Sequence, residues 1–434
     1  MAEIAKKTWG KLRRALPTLP RRRYNIFCGT NSSEEWRQAW RDFRAGNHVE
    51  LEEIIRQYED NFARMTGMRY GTSFGSGRMA LYAILEALKI GKGDEVIIPA
   101  FTCVVVSNAI IYRGARPVYV DIEPRSFNIN VDQIDSAITS STRALYAQHT
   151  FGVPCAIDRI KALGSRYGLP VIEDCAHALG TNIGGKPAGS YAQVAFFSTD
   201  HSKIINTGVG GMAVTSDYAI SKSLKKIQNR APYLSTGISR KQLKTFLSEF
   251  IFFDPRLLWL GNSICILMRK FDGHFYFKDE LMTSKPTAYP YPCRLSAKQA
   301  RIGISQLDSL SKNIKHRRSI AAWLENEIGW YNIDVQKLNN YAWLRYSFMV
   351  KDRDAFEQRF RHRFDLGVWF TNVVQGRNKD FKAVKYSEGS CQVAERAAKH
   401  IVNFPTHPRI PIEIIKEEVT RNRHWMTEQI LYCD

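Results

Sequence analysis

"FFSTDHSKIINTGVGG", residues 196–211, sets one lysine, Lys203, between an apolar run and a glycine-rich return. With 62 Lys and Arg against 42 Asp and Glu, most lysines of this chain are solvated charges. Lys203 is either one of these or a covalent handle, and its surroundings decide between the two. "AQVAFFS" (192–198) reads as a strand ending in Ser198, and "GMAVTS" (211–216) as the strand that returns. Upstream, "DEVIIPA" (94–100), "ARPVYVDI" (115–122), "TRALYAQHTFG" (142–152) and "LPVIEDCAHALG" (169–180) are further strand candidates. Helical stretches such as 78–89 and 156–167 lie between them. This alternation predicts an α/β layer with a largely parallel sheet covered on both faces.

Ligands of such sheets sit beyond the carboxyl ends of the strands. His149, Asp174, His177 and Ser198 all fall at or just after strand ends, an arrangement that reads as a site. Gly75, Ser76 and Gly77 precede an apolar-faced helix, where exposed backbone N–H groups form a phosphate cradle; by itself the pattern is equally a plain turn. Asp174 ends an apolar run, and a buried acid there needs a cationic partner or serves as a helix cap. Ser198, five residues before Lys203, adds a hydroxyl. A phosphate cradle, an acid and a lysine on one sheet edge match the three chemical ends of pyridoxal 5'-phosphate: phosphate, ring nitrogen and aldehyde.

Composition sets the remaining bounds. A hydrophobic fraction of 44% and an aromatic fraction of 12% over 434 residues describe an ordinary globular enzyme with room for a large core. The eight cysteines include no CxxC pair, which argues against a metal site or disulfide framework and for a reducing cytoplasm. Residues 1–23 carry eight Lys or Arg against one acid and no apolar core of a signal peptide, so they read as a basic arm. Such an arm is a solvated tail or a contact for an anionic membrane surface. No nucleic-acid recognition motif accompanies the net charge of +20, which also suits steering of a polyanionic small substrate. The apolar stretch 246–271 is broken at Asp254-Pro255-Arg256, too short to span a membrane, and reads as buried helix, substrate lid or interfacial segment.

In order and wording, these motifs resemble the sugar aminotransferases of the DegT/DnrJ/EryC1/StrS family, within fold type I of the pyridoxal-phosphate enzymes. The resemblance runs through the glycine-serine turn, "GDEVIIP", "GARPVYVDI", "IEDCAHALG" and the lysine five residues after a serine. It continues in "RLSAKQARIGISQLDSL" with "HRR" (294–318) and in "NFPTHPRI" (403–410). It implies a large domain over 24–293 with a mostly parallel seven-stranded sheet, residues 218–290 being a divergent insert, and a smaller C-terminal α/β domain over 294–434. By the same resemblance Lys203 is the catalytic lysine that bonds the cofactor and moves the proton. Asp174 faces the ring nitrogen and His177 the ring oxygen, while Ser198, Gly77 and the Arg78 backbone hold the phosphate.

Four positions depart from the family pattern. Arg78 stands where threonine is usual, and Cys103 where a ring-stacking aromatic is common, leaving Phe101 as a substitute. Val209 replaces a glutamate, and Pro292 an asparagine that often reaches a neighbouring subunit's phosphate. The implied activity is transfer of an amino group, with glutamate as donor, to a keto sugar carried on a nucleotide, by a cytoplasmic homodimer serving surface polysaccharide synthesis. The alternatives are a dehydratase-like relative, against which Lys203 counts, and a non-catalytic relative docked at the membrane.

Overall fold

The computed structural model describes residues 22–27, 29–45, 51–278, 282–366, 369–376 and 380–432. All of the basic arm except residues 22 and 23 lies outside them. The central element is a seven-stranded sheet built from β1 (Tyr70–Phe74), β2 (Glu95–Pro99), β3 (Arg116–Val120), β4 (Thr142–Gln148), β5 (Val171–Asp174), β6 (Val194–Ser198) and β7 (Gly211–Thr215). Its spatial order is β1-β7-β6-β5-β4-β2-β3. Only β7 runs against its neighbours; β2, β3, β4, β5 and β6 pair in parallel. The mostly parallel sheet is therefore as expected. β1 was not anticipated, because "YGTSF" is short and lacks a branched apolar run.

Successive side chains on a strand point to opposite faces, and this chain fills both. Val96, Ile98 and Phe196 join one apolar cluster, while Phe197 and Met212 enter another and Ile97 and Leu145 a third. Helices α1 (Ser33–Ala45), α2 (Glu52–Met65), α3 (Gly77–Ala87), α4 (Val104–Tyr112) and α5 (Ile157–Tyr167) alternate with the first strands or precede them. After β7 come α6 (Tyr218–Arg230), α7 (Thr236–Phe252), α8 (Leu258–Lys270), α9 (Ala297–Asp308) and α10 (Leu310–Ile328). The C-terminal part pairs β8 (Arg345–Met349) with β9 (Ile401–Pro405) antiparallel, accompanied by α11 (Arg353–Phe360), α12 (Gln392–His400) and α13 (Ile412–Gln429). An aromatic-rich core holding Trp330, Trp343, Tyr346 and Phe404 supports this pair.

The parallel strands bring their carboxyl ends to one edge, and there β7 begins. Gly211 lies opposite Phe74 on one side and Ser198 on the other. A Cβ at Gly211 would stand 2.3 Å from the Ser76 carbonyl carbon and 2.4 Å from the Gly77 nitrogen. Backbone cannot yield as a flexible side chain does. Gly211→Ala is accordingly expected to destabilise the protein by about 2 kcal/mol through overpacking, read from the urea midpoint. An unchanged midpoint would show that the turn is not tightly seated.

Candidate functional site

At that edge opens a cavity of about 390 Å³ lined by Gly77, Arg78, Cys103, Asp174, His177, Ser198 and Lys203. All seven residues singled out in the sequence thus reach one space. Gly77 opens α3, whose first-turn N–H groups have no partner within the helix. Ser76 caps that helix through its side chain, which accepts from the Met79 N–H at 3.4 Å. A Cβ on Gly77 would meet the Ser198 Cβ at 2.8 Å, so only glycine lets the turn and the end of β6 close into a cradle. The Arg78 guanidinium lies over the Phe277 ring, 5.9 Å from its centroid. Cys103 is half-buried at the start of α4.

Asp174 is buried and shares its two oxygens between Tyr146 O–H, at 2.6 Å, and Ala176 N–H, at 2.8 Å. Burial raises its carboxyl above the ordinary value; these hydrogen bonds and the Lys203 charge only partly offset that. A carboxylate in this state lacks a close cation, which a protonated ring nitrogen would supply. Lys203 is 8% exposed and, among the described residues, its Nζ has no hydrogen bond or ion pair; the ammonium rests 4.9 Å from the centroid of Trp369. Burial lowers its pKa from 10.5, opposed in part by Asp200 and Cys103. A buried amine that sheds its proton readily is a nucleophile, not a solvated charge. His177 Nδ1 accepts from the Phe151 N–H at 3.2 Å, and the two rings stack at 5.8 Å. Burial, followed by the charges of Lys203 and Arg345, holds His177 well below 6.5. It is therefore neutral, with its proton on Nε2.

Several expectations need correction. His149 lies outside the cavity: its Nε2 pairs with Glu173 at 3.0 Å and its Nδ1 accepts from the Cys155 N–H at 3.1 Å. It is a support, because β4 ends one residue before it and the chain turns behind the sheet edge. Phe101 is fully buried against Phe127 and Phe370 and does not stack in the cavity. Val209 lines the space, whereas Pro292 does not. The 246–271 stretch becomes the C-terminal part of α7 and all of α8, joined by a bend where Arg256 hydrogen-bonds Asp254. Glu249, Phe253, Cys265 and Arg269 line the cavity, so the pair is a wall of the site. The opposite face exposes Leu257, Leu260, Leu267 and Phe271, the last 74% exposed.

Sequence reasoning missed Trp369, which lines the cavity from a stretch with no motif, and Arg345, which packs behind it. It also missed Tyr276 and Phe277, which follow the divergent helices.

A family model for the DegT/DnrJ/EryC1/StrS aminotransferase family matches residues 31–421. The chain is 39% identical over 370 residues to a UDP-N-acetyl-3-dehydro-alpha-D-glucosamine 3-aminotransferase of Acidithiobacillus ferrooxidans, covering 84% of this chain and 86% of the relative. A GDP-perosamine synthase of Caulobacter vibrioides is 38% identical over 288 residues, covering 66% and 63% respectively. Among solved structures, a Streptococcus pneumoniae protein in its PLP form superposes with a TM-score of 0.70 at 18% identity, covering 93% of this chain and 98% of that one.

Glu173 is the fixed point beneath the site. Burial alone would raise its carboxyl, but His149 and the Gly189 and Ala192 N–H groups outweigh it and hold the pKa below 4.5. That stabilisation is present above the ordinary value of 4.5 and drains away as acid takes the pH down through the lowered value. Glu173→Ala, which leaves His149 and three N–H groups unmatched, is expected to cost about 3–5 kcal/mol in chemical denaturation. A loss below about 1 kcal/mol would mean that the pair behaves as a surface contact.

Proposed function

This chain belongs to the DegT/DnrJ/EryC1/StrS aminotransferase family, and we propose that it moves an amino group from an amino acid, glutamate by preference, to a keto sugar carried on a nucleotide. The observation that carries the reading is the convergence of Lys203, Asp174, Ser198 and the Gly77 turn on one cavity. The relatives named above act on, or make, UDP- and GDP-linked sugars, which supports a nucleotide-bound acceptor.

The residues present fit pyridoxal 5'-phosphate. The glycine-tight turn at Gly77, with Ser198 and the Arg78 backbone, would hold the phosphate. Asp174, raised by burial, would gain its missing cation from the ring nitrogen, and the His177 Nε2–H would face the ring oxygen. When bound, the cofactor supplies an electron sink for the carbon that loses a proton. Lys203 would hold the cofactor at its aldehyde end, and its amine would be the base that takes the proton from the donor α-carbon and gives it back. Its lowered pKa keeps the amine ready to accept that proton. Asp174 would hold the ring nitrogen's positive charge, which is what would make that carbon acidic. His177, neutral and held by Phe151, donates without adding a competing charge.

Cys103 offers no ring to stack, whereas Trp369 lines the cavity with its ring 4.9 Å from the Lys203 Nζ. We further assign the chain to a cytoplasmic homodimer in polysaccharide synthesis, with 294–434 as its smaller domain, on the family's habit. Among the described residues no helix is long and apolar enough to cross a membrane. Peripheral contact with anionic lipid is supported by the exposed apolar face of α8 and its basic neighbours Arg256 and Lys270, while Arg269 turns to the cavity.

Lys203→Ala is expected to abolish transamination and the visible absorbance of the bound cofactor while the far-ultraviolet spectrum stays native. Retained turnover with normal absorbance would sink the assignment. Asp174→Asn should still bind cofactor but lose about 2–4 kcal/mol of barrier lowering, on the order of 100- to 1,000-fold in rate, in a single-turnover assay with glutamate. A variant within a few-fold of wild type would mean that another group faces the ring nitrogen. Because burial depresses Lys203, cofactor attachment to the apoprotein should rise with pH around a midpoint below 10.5. A midpoint at or above that value would contradict a desolvated amine.

A further inference from the structure

Helix α8 has two faces. Leu258, Gly261 and Cys265 are buried, and a Cβ at Gly261 would stand 1.8 Å from the Phe252 carbonyl oxygen, so this face is locked against α7. Asn262, Cys265 and Arg269 line the cavity. On the far side Leu257, Leu260, Ile264, Leu267 and Phe271 recur at intervals of three and four residues, the spacing of one stripe along a helix. Ile264 is half-buried and the other four are exposed. The stripe runs for about 20 Å, and large apolar side chains gathered in water in this way mark an interaction surface. The chain also brings charge to the same place. The Arg23 N–H donates to the Pro255 carbonyl at 2.9 Å, and the Tyr24 N–H to the Arg363 carbonyl at 2.7 Å. The basic arm therefore joins the fold at the bend before α8, two residues from Leu257. Residues 1–23 carry eight Lys or Arg against one acid, with Trp9, Leu12 and Leu16 among them. The acids flanking the stripe, Asp254 and Asp272, are paired with Arg256 and Lys241, while Lys270 adds a charge in the last turn of α8. The surplus beside the stripe is positive.

We propose that the α8 stripe and the basic arm form one docking surface for an anionic lipid bilayer, with α8 lying in the plane of the interface. This goes beyond the transfer chemistry and does not rest on it; the lipid contact stated above gains a defined surface and an orientation. Leucine and phenylalanine on one face, with basic residues beside them, are what an interfacial helix offers to the acyl boundary and the headgroups. The two contributions complete each other, because a short apolar stripe inserts weakly and a basic segment alone holds only by charge. Residues 1–21 reach about 70 Å when fully extended, so from its fixed exit the arm can follow the whole stripe. A second copy of this chain is the poorer occupant. Two stripes of about 20 by 10 Å would bury on the order of 400 Å² in total, against about 1,200 Å² for a stable interface, and the two arms would repel. Asn262, Cys265 and Arg269 lie on the other side of the same helix. Docking therefore holds the cavity one helix diameter, about 10 Å, from the bilayer surface.

The test is co-sedimentation of the full-length holoenzyme with vesicles at low salt, using phosphatidylcholine alone or with about one third phosphatidylserine. The readout is the lipid concentration that gives half-maximal binding. The wild type should sediment with the anionic vesicles and stay in the supernatant with the neutral ones. The joint change Lys6→Gln, Lys7→Gln, Lys11→Gln, Arg13→Gln and Arg14→Gln should raise the half-maximal concentration on the order of 100-fold. Leu267→Gln with Phe271→Gln, which alters no charge, should raise it on the order of tenfold. A stripe variant that binds as the wild type does would leave the arm acting alone and overturns the proposal, as does a wild type that binds neither vesicle. A soluble stripe variant with half the mass of the wild type assigns the stripe to a second copy of the chain and overturns it too. Should the double variant fail to fold, Phe271→Gln alone is expected to raise the concentration about threefold, and an unchanged value overturns the proposal equally. A holoenzyme that binds anionic vesicles through both elements, yet whose visible absorbance no amino acid alters, refutes transamination and supports the docking surface.

Discussion

Glu173 accepts hydrogen bonds from Gly189 N–H at 2.6 Å and from Tyr191 and Ala192 N–H at 3.1 Å, besides facing His149. One carboxylate thus ties the end of β5 to the residue after β4 and to the loop that leads into β6. Because a strand alternates its side chains between faces, fixing Glu173 on one side of the sheet aims Asp174 at the other. The order Glu-Asp is therefore a division of labour. The first acid holds the strand end rigid through a fully buried network, and the second faces the cavity with capacity to spare. His149, Glu173 and Cys175 also cluster closely enough to resemble a metal site. Both ring nitrogens of His149 and both oxygens of Glu173 are occupied by protein partners, so the cluster is structural.

On the cavity side the electrostatics are incomplete in a patterned way. Among the described residues, Lys203 and Arg345 are buried cations with no carboxylate in salt-bridge contact, and Asp174 is a buried acid with no cation in such contact. Pairing these groups with one another would have stabilised the protein and silenced the site. Their separation stores an affinity for a ligand that brings both signs: a protonated ring for the acid and carboxylates or phosphates for the cations. Local departures from full satisfaction are expected where function resides. Here they fall around a single indole, Trp369.

The sheet was legible because parallel strands buried on both faces leave continuous apolar runs, and Val96-Ile97-Ile98 or Val171-Ile172 cannot be misread as a surface helix. The site residues were legible because they sit at the ends of those runs. β1 escaped because "YGTSF" is five residues long and offers Phe74 as its one large buried apolar side chain. Arg345 and Trp369 escaped for a different reason. They reach the site from chain more than 140 residues beyond Lys203, and no local spacing encodes that approach. His149 was drawn into the site by position alone; the direction of its ring became visible only with Glu173 and Cys155 in place.

The wall made by α7 and α8 changes what the cavity can select. In the family pattern an asparagine at the Pro292 position often reaches a neighbouring subunit's phosphate; here proline has no amide to offer, and the residue stands outside the cavity. Phe253, Cys265, Arg269, Tyr276 and Phe277 come instead from the same chain as Lys203 and cover one side of the space. Arg269 lies 5.0 Å from the Tyr276 ring and Arg78 lies over Phe277, so each aromatic holds a cation at the cavity wall. Stacking keeps a guanidinium oriented at the wall of the cavity. Two arginines thus bring positive charge to the wall of the cavity. One side of the cavity is thereby built from the divergent insert, while Lys203, Asp174 and Ser198 face it from the sheet edge.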